Sequence, residues 1–142
     1  MNTPLLKQIA MTLGIEENPI VWEENLKTSI KNLADLELQK QIWVGKHPEL
    51  ISSFSEVLAS IYDDFDFSRF IRYYESENGK NHLSILFHEL DKMIIEYQDY
   101  GYELEAKEGG HDVILKDSRW LDITNKAQEV INTWNTDYKQ SF

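Results

Sequence analysis

Between Leu83 and Tyr97 the apolar residues are Leu83, Leu86, Phe87, Leu90, Met93, Ile94 and Tyr97. They recur in steps of three and four without a break. That spacing sets all of them on one face of an α-helix, whereas a strand would need alternation with a period of two. A helix with one broad apolar face has to bury it against other elements. This stripe therefore commits the chain to packing built on helices.

The same spacing recurs on both sides. Leu50, Ile51, Phe54, Val57, Leu58, Ile61 and Tyr62 predict a helix that starts after His47-Pro48, because the residue before a proline avoids the helical region. Trp22, Leu26, Ile30 and Leu33 predict another, and Leu36, Ile42 and Trp43 carry the apolar content on to Gly45. Asp35 stands where it would interrupt this run or cap a new one, so one bent helix and two short ones both fit. Thr3-Pro4 is a good start for a short N-terminal helix, with Leu5, Leu6, Ile9, Ala10 and Leu13 on one face and Gly14 as its stop. That helix and its connector occupy residues 1–21. Trp120, Ile123, Ala127, Val130, Ile131 and Trp134 mark the last helix, with Asp117 or Ser118 as its cap. Residues 65–80 read as a long loop or a short irregular helix, and residues 137–142 as a frayed end.

The pattern changes once. Gly101 ends the central stripe, and Tyr102, Leu104 and Ala106 then alternate with Glu103, Glu105 and Lys107. Gly109-Gly110 and Val113-Ile114-Leu115 follow. This segment, residues 102–115, predicts a short β-hairpin or an extended loop. The expected fold is thus mainly all-α: one domain over residues 1–142, a bundle of five or six helices. Its expected core includes Phe54, Leu58, Leu86, Leu90, Ile94, Val130 and Trp134.

Composition narrows the function classes. A chain of 142 residues can build one core without covalent staples. It has no Cys, which excludes disulfides, thiolate metal sites and cysteine nucleophiles. No basic and apolar leader opens it, and no apolar run approaches roughly 18 residues. The expectation is a cytoplasmic protein that makes no membrane contact. With 25 acids against 14 bases, the net charge of −11 repels phosphates and favours a basic protein partner.

Motifs that carry chemistry are scarce. Asp63, Asp64 and Asp66 are the densest carboxylate cluster, but no glycine lies inside it and no glutamate closes it as a calcium loop requires. His82 and His88 are six residues apart, which is not a helical metal pair. His88 and Asp91 share a face but are too few for a metal. His111-Asp112 beside Gly109-Gly110 has no Gly-x-Ser-x-Gly elbow to serve, and no phosphate loop is present. The segment Phe67 to Tyr74 holds Arg69 and Arg72 among aromatics; core packing explains it better than base stacking, with the arginines pairing local acids. Trp22, Trp43, Trp120 and Trp134 fit core anchors whose indole N–H groups find partners at the domain edge. No catalytic residue, cofactor or metal is expected.

Two stretches concentrate the negative charge. Glu49 to Asp66 holds five acids and no Lys or Arg, and Glu89 to Glu108 holds seven acids and two Lys. Asp63, Asp64, Asp66, Glu103, Glu105 and Glu108 are the candidate partner-binding residues.

One set of residues carries a resemblance. Leu33-Ala34-Asp35, then Gln39 and Trp43, then a helix ending Ile61-Tyr62-Asp63-Asp64, then Trp120, resembles a group of small uncharacterised bacterial proteins over about residues 26–135. Small acidic proteins of this kind look like immunity proteins of contact-dependent and other polymorphic toxin systems. The resemblance implies a protein that binds and blocks a cognate toxin, one with a basic cleft such as a nucleic-acid-targeting toxin has. Two other readings use the same residues: a non-catalytic regulatory or adaptor domain, and a small metal-dependent enzyme built on Asp63, Asp64, Asp66 and a histidine.

Overall fold

Asn18 precedes Pro19, and that pair begins the first helix. The Asn18 Oδ1 accepts the Ile20 N–H at 2.9 Å, and proline at the first helical position needs no partner for a missing N–H. This is a computed structural model that describes residues 18–44 and 52–140, with side chains as far as residue 136. The predicted helix over residues 5–13 and the His47-Pro48 break lie outside the described residues, as do Leu50 and Ile51.

Among the described residues seven helices follow in order: α1 (Pro19–Ala34), α2 (Leu36–Gln39), α3 (Phe54–Ala59), α4 (Phe67–Asn78), α5 (His82–Glu105), α6 (Gly110–Lys116) and α7 (Ser118–Gln140). Two π-helical segments extend the short ones, Lys40–Val44 after α2 and Ser60–Asp64 after α3. No strand occurs among the described residues. The all-α class holds, but the count of five or six helices is too low and the hairpin is absent.

Each difference has a physical cause. The connector expected through residue 21 ends earlier, because Asn18-Pro19 caps and starts α1. Asp35 makes two helices out of the 22–44 region: its carboxylate accepts the Leu38 N–H at 3.0 Å and caps α2. The region over 65–80 is mostly a regular helix, since Asp66 caps it through Arg69 N–H and Phe67, Phe70, Ile71 and Tyr74 form its buried face. Central α5 does not stop at Gly101 but continues to Glu105. Tyr97, Gly101 and Leu104 keep the steps of four and three, and a Gly101 side chain would collide with the Phe54 ring, at 2.1 Å from its Cζ. Gly101 is there to let Phe54 in. Gly109, at φ 72°, then turns the chain into α6, where the hairpin's second strand was expected.

Packing joins α5 to α7, α3, α4 and α6, and α1 to α7. Leu86, Leu90, Ile94, Phe54, Leu58, Val130 and Trp134 all lie in the core. Aromatic rings fill it in two groups. One surrounds Phe54, with Tyr102, Trp120 and Tyr97 at centroid distances of 5.4, 5.3 and 6.1 Å. The other joins Phe70 and Phe87 to Trp22, Tyr74 and Trp134. Trp22, Trp120 and Trp134 are buried, and their indole N–H groups donate to Phe65 O, Gln39 Oε1 and Glu23 Oε1 at 2.7, 3.0 and 3.2 Å. Among the described residues no ion pair holds Arg69 or Arg72, so they do not pair local acids as expected. No helix among them is long and apolar enough to cross a membrane.

Candidate protein-binding face around Tyr102

Tyr102 lies on the last turn of α5 and is 41% exposed. Burial of its lower ring raises its pKa, and the nearby carboxylates of Asp63, Glu105 and Asp99 raise it further. That set joins the two acidic stretches of the sequence. The segment Ser60–Asp64 supplies Asp63, and α5 supplies Asp99 and Glu105. Both parts of the chain meet because Tyr62 donates its hydroxyl to Asp91 Oδ1 at 2.7 Å, tying the π-helical segment to α5. Burial, reinforced by that bond, holds the Tyr62 hydroxyl protonated far above the usual tyrosine range.

The backbone beside Asp63 and Asp64 is irregular on both sides. A π-helical turn is wide and uncommon, and the Phe65 N–H bonds back to Ser60 O at 3.2 Å. Asp66 has φ 44° and ψ 71°, the left-handed region that a non-glycine residue seldom adopts. Aspartate tolerates it best among charged residues, and here it also caps α4. The cap of α4 is thus Asp66, and not the Asp63-Asp64 pair. Asp63 and Asp64 are left exposed.

The second stretch divides the same way. Glu103 and Glu108 are exposed. Glu105 is half-buried and works as a remote cap: its Oε2 accepts the Ser55 N–H at 3.0 Å and the Ser55 hydroxyl at 3.1 Å. His111 Nε2 accepts the neighbouring Phe54 N–H at 3.2 Å, and the Ser53 hydroxyl takes the Glu56 N–H. Three of the first N–H groups of α3 are thereby satisfied. Of the six candidate residues, Asp66 and Glu105 hold the fold, and Asp63, Asp64, Glu103 and Glu108 face outward.

Ser55, Glu105 and His111 bring a hydroxyl, a carboxylate and an imidazole together, yet in the wrong order for nucleophilic catalysis. The serine donates to Glu105 Oε2, and His111 Nε2 lies 3.2 Å from that same oxygen, so the carboxylate stands between the hydroxyl and the imidazole. The His111 ring lies against Trp43, 5.1 Å between centroids, and Asp112 pairs with Lys116 at 2.9 Å. His88 meets Glu75 at 3.1 Å, and not Asp91. No group of three His, Asp or Glu among the described residues is arranged to hold a metal ion. A cavity of about 320 Å³ beside Pro19, Ile20, Tyr73 and Trp134 has a mixed lining that includes Glu77 and Asn78, with Glu23 already bonded to Trp134.

Asp99, Asp91, Tyr62 and Tyr102 were not among the candidate partner-binding residues; Asp91 was weighed only beside His88 for a metal, and Tyr62 and Tyr102 only for secondary structure. A signal for Tyr102 existed, because His88, Ile95 and Tyr102 recur every seven residues on the solvent side of α5. Comparisons with protein-family models, curated proteins and solved structures find no match.

Proposed function

We propose that this chain is a non-catalytic immunity protein that acts in the cytoplasm. It binds a cognate bacterial toxin with a basic, nucleic-acid-targeting cleft and closes that cleft with the acidic face around Tyr102. The observation that carries the reading is an exposed Tyr102 on α5 beside exposed Asp99 and Glu103, with the segment bearing exposed Asp63 and Asp64 tied to that helix by the Tyr62–Asp91 bond. Such a face attracts a basic cleft over a distance, and the net charge of −11 adds to that field. The resemblance to small acidic immunity proteins supports the same reading. An exposed aromatic within a ring of charge also suits a protein contact better than a small-molecule site.

The test is protection. The chain is co-expressed with each reading frame adjoining its gene in turn, and survival is scored together with binding of the purified pair. The charge variant carries Asp63→Asn, Asp64→Asn, Asp99→Asn and Glu103→Gln; Asp66 and Glu105 stay, because they cap helices. The parent should protect, and the charge variant should melt like the parent, associate more slowly and fail to protect. Rising salt should slow association of the parent more than dissociation. A folded charge variant that binds and protects as well as the parent would sink the acidic-face reading.

A further inference from the structure

We infer that His88, Ile95 and Tyr102 form the seam of a docking surface on α5, and that its occupant is a partner helix with an apolar stripe flanked by lysine or arginine. The inference rests on the toxin-binding reading and names the contact it uses.

A seven-residue repeat keeps side chains in one column of a helix, close to straight over short distances. From residue 88 to residue 102 that column is about 21 Å long, enough for four turns of a partner helix. Ile95 is 48% exposed and Tyr102 41%, and the two are consecutive in the column. One exposed isoleucine is ordinary on any surface. Here it is joined to an aromatic and fenced by carboxylates. Asp91 and Glu105 stand in the adjacent column toward Tyr62, and Asp99 lies between Ile95 and Tyr102 on the other flank. Asp63 reaches in from the π-helical segment. At the N-terminal end His88 leans on Glu75. Lys92, the basic side chain on this flank, is drawn toward Glu96 at 3.9 Å.

Charge selects the occupant. A nucleic acid or an anionic membrane would meet these carboxylates with like charge. An acidic helix would do the same. A helix with lysines on its flanks sets cations against Asp63, Asp91 and Asp99 while its own leucines cover Ile95 and the Tyr102 ring. Tyrosine is well suited as the anchor: it gives large area for few rotatable bonds and keeps its hydroxyl at the wet edge.

The probe is a synthetic helical peptide with leucine on one face and lysine on both flanks, labelled with fluorescein and titrated with the full chain by anisotropy. The parent should bind it, and a matched peptide with glutamate in place of lysine should not bind. Ile95→Ser and Tyr102→Ser should each weaken binding about tenfold or more; Ile95→Ser should melt like the parent, and Tyr102→Ser, whose ring also packs on Phe54, is titrated well below its own lower melting point. Tyr102→Phe should keep most of the affinity. Ile85→Ser is the control, because Ile85 is 56% exposed on the same helix but outside the column; it should bind like the parent. No binding of the lysine peptide overturns the seam, and so does an equal effect of Ile85→Ser and Tyr102→Ser. In the protection assay, full protection by the Ile95→Ser, Tyr102→Ser double variant alongside failure of the charge variant also overturns it, while the immunity reading stands. If the parent itself gives no protection, the immunity reading falls, and the peptide titration still judges the seam.

Discussion

Trp120 donates its indole N–H to Gln39 Oε1 at 3.0 Å, across 81 residues of sequence and in a buried setting. The same Gln39 side chain donates from Nε2 to Asn32 O at 3.0 Å and Leu33 O at 2.8 Å. Those carbonyls belong to the end of α1, where helix geometry leaves the last carbonyls short of backbone partners; Asn32 O also takes the Asp35 N–H at 3.3 Å. One amide therefore closes α1, positions the turn at Asp35 and seats the first turn of α7. Part of the resemblance, Leu33 to Asp35 with Gln39 and Trp120, is thus a structural unit, while its Tyr62-Asp63-Asp64 part belongs to the acidic face.

The first prediction follows from that unit. Gln39→Ala would leave Leu33 O and the Trp120 indole N–H buried without partners, while Asn32 O keeps the Asp35 N–H, and should cost about 2–3 kcal/mol. Trp120→Phe removes one donor and some packing against Trp43 and Phe54, and should cost about 2–3 kcal/mol. Because both changes break one bond, the double variant should lose less than the sum by about 1 kcal/mol. Urea unfolding of the four proteins measures this. Strict additivity would mean that the hydrogen bond adds no coupling.

Gly101→Ala tests two opposed effects. Alanine in a helix interior is favoured over glycine by up to about 1 kcal/mol. Here its Cβ would stand 2.1 Å from Phe54 Cζ, and the Phe54 ring is held by Tyr97, Tyr102 and Trp120. The clash should win, with a net loss of roughly 1–3 kcal/mol. Adding Phe54→Leu makes room, so alanine at 101 should be less harmful in that background than in the parent. A thermal melt that rises with Gly101→Ala would show that the ring moves aside at little cost.

Alkali should destabilise the protein through its tyrosines. Burial raises the pKa of Tyr62, Tyr97 and Tyr102, and acceptor or neighbouring carboxylates raise each further, with Asp91, Asp117 and Asp63 foremost. A folded-state pKa raised above the unfolded one stabilises fully below the unfolded value, about 10 for tyrosine, and that contribution is lost as pH climbs toward the folded value. Phenolate absorbance followed against pH should therefore show some of the seven tyrosines ionising only as near-ultraviolet ellipticity is lost. Smooth ionisation of all seven near the ordinary value, with the fold intact, would contradict the burial of these hydroxyls. Tyr62→Phe should shift the alkaline limit upward while giving up the bond to Asp91.

Much of the fold was legible because its signal is local. The stripe from Leu83 to Tyr97 names its own buried face, and Asp35 announces a cap by its position. The extension of α5 past Gly101 was not legible, since the reason for that glycine is a ring 47 residues earlier in the chain. The alternation over residues 102–107 is too short to tell a strand from a helix end. At the site, the acids could be listed from charge alone, but their division could not. Asp66 and Glu105 became caps, and Asp99 and Tyr102 gained their neighbours, only when the π-helical segment packed on α5.

The cap that Glu105 and His111 place on α3 bears on how the protein exchanges hydrogen with water. A helix of six residues has little stability of its own, and its first amides would ordinarily trade protons within moments. Those of Phe54 and Ser55 are instead lodged in side chains from the far end of α5 and from α6. Their release requires that these distant elements pull away, so deuterium uptake at these two amides reports the undocking of α5 and α6 from α3 and not the fraying of α3 itself.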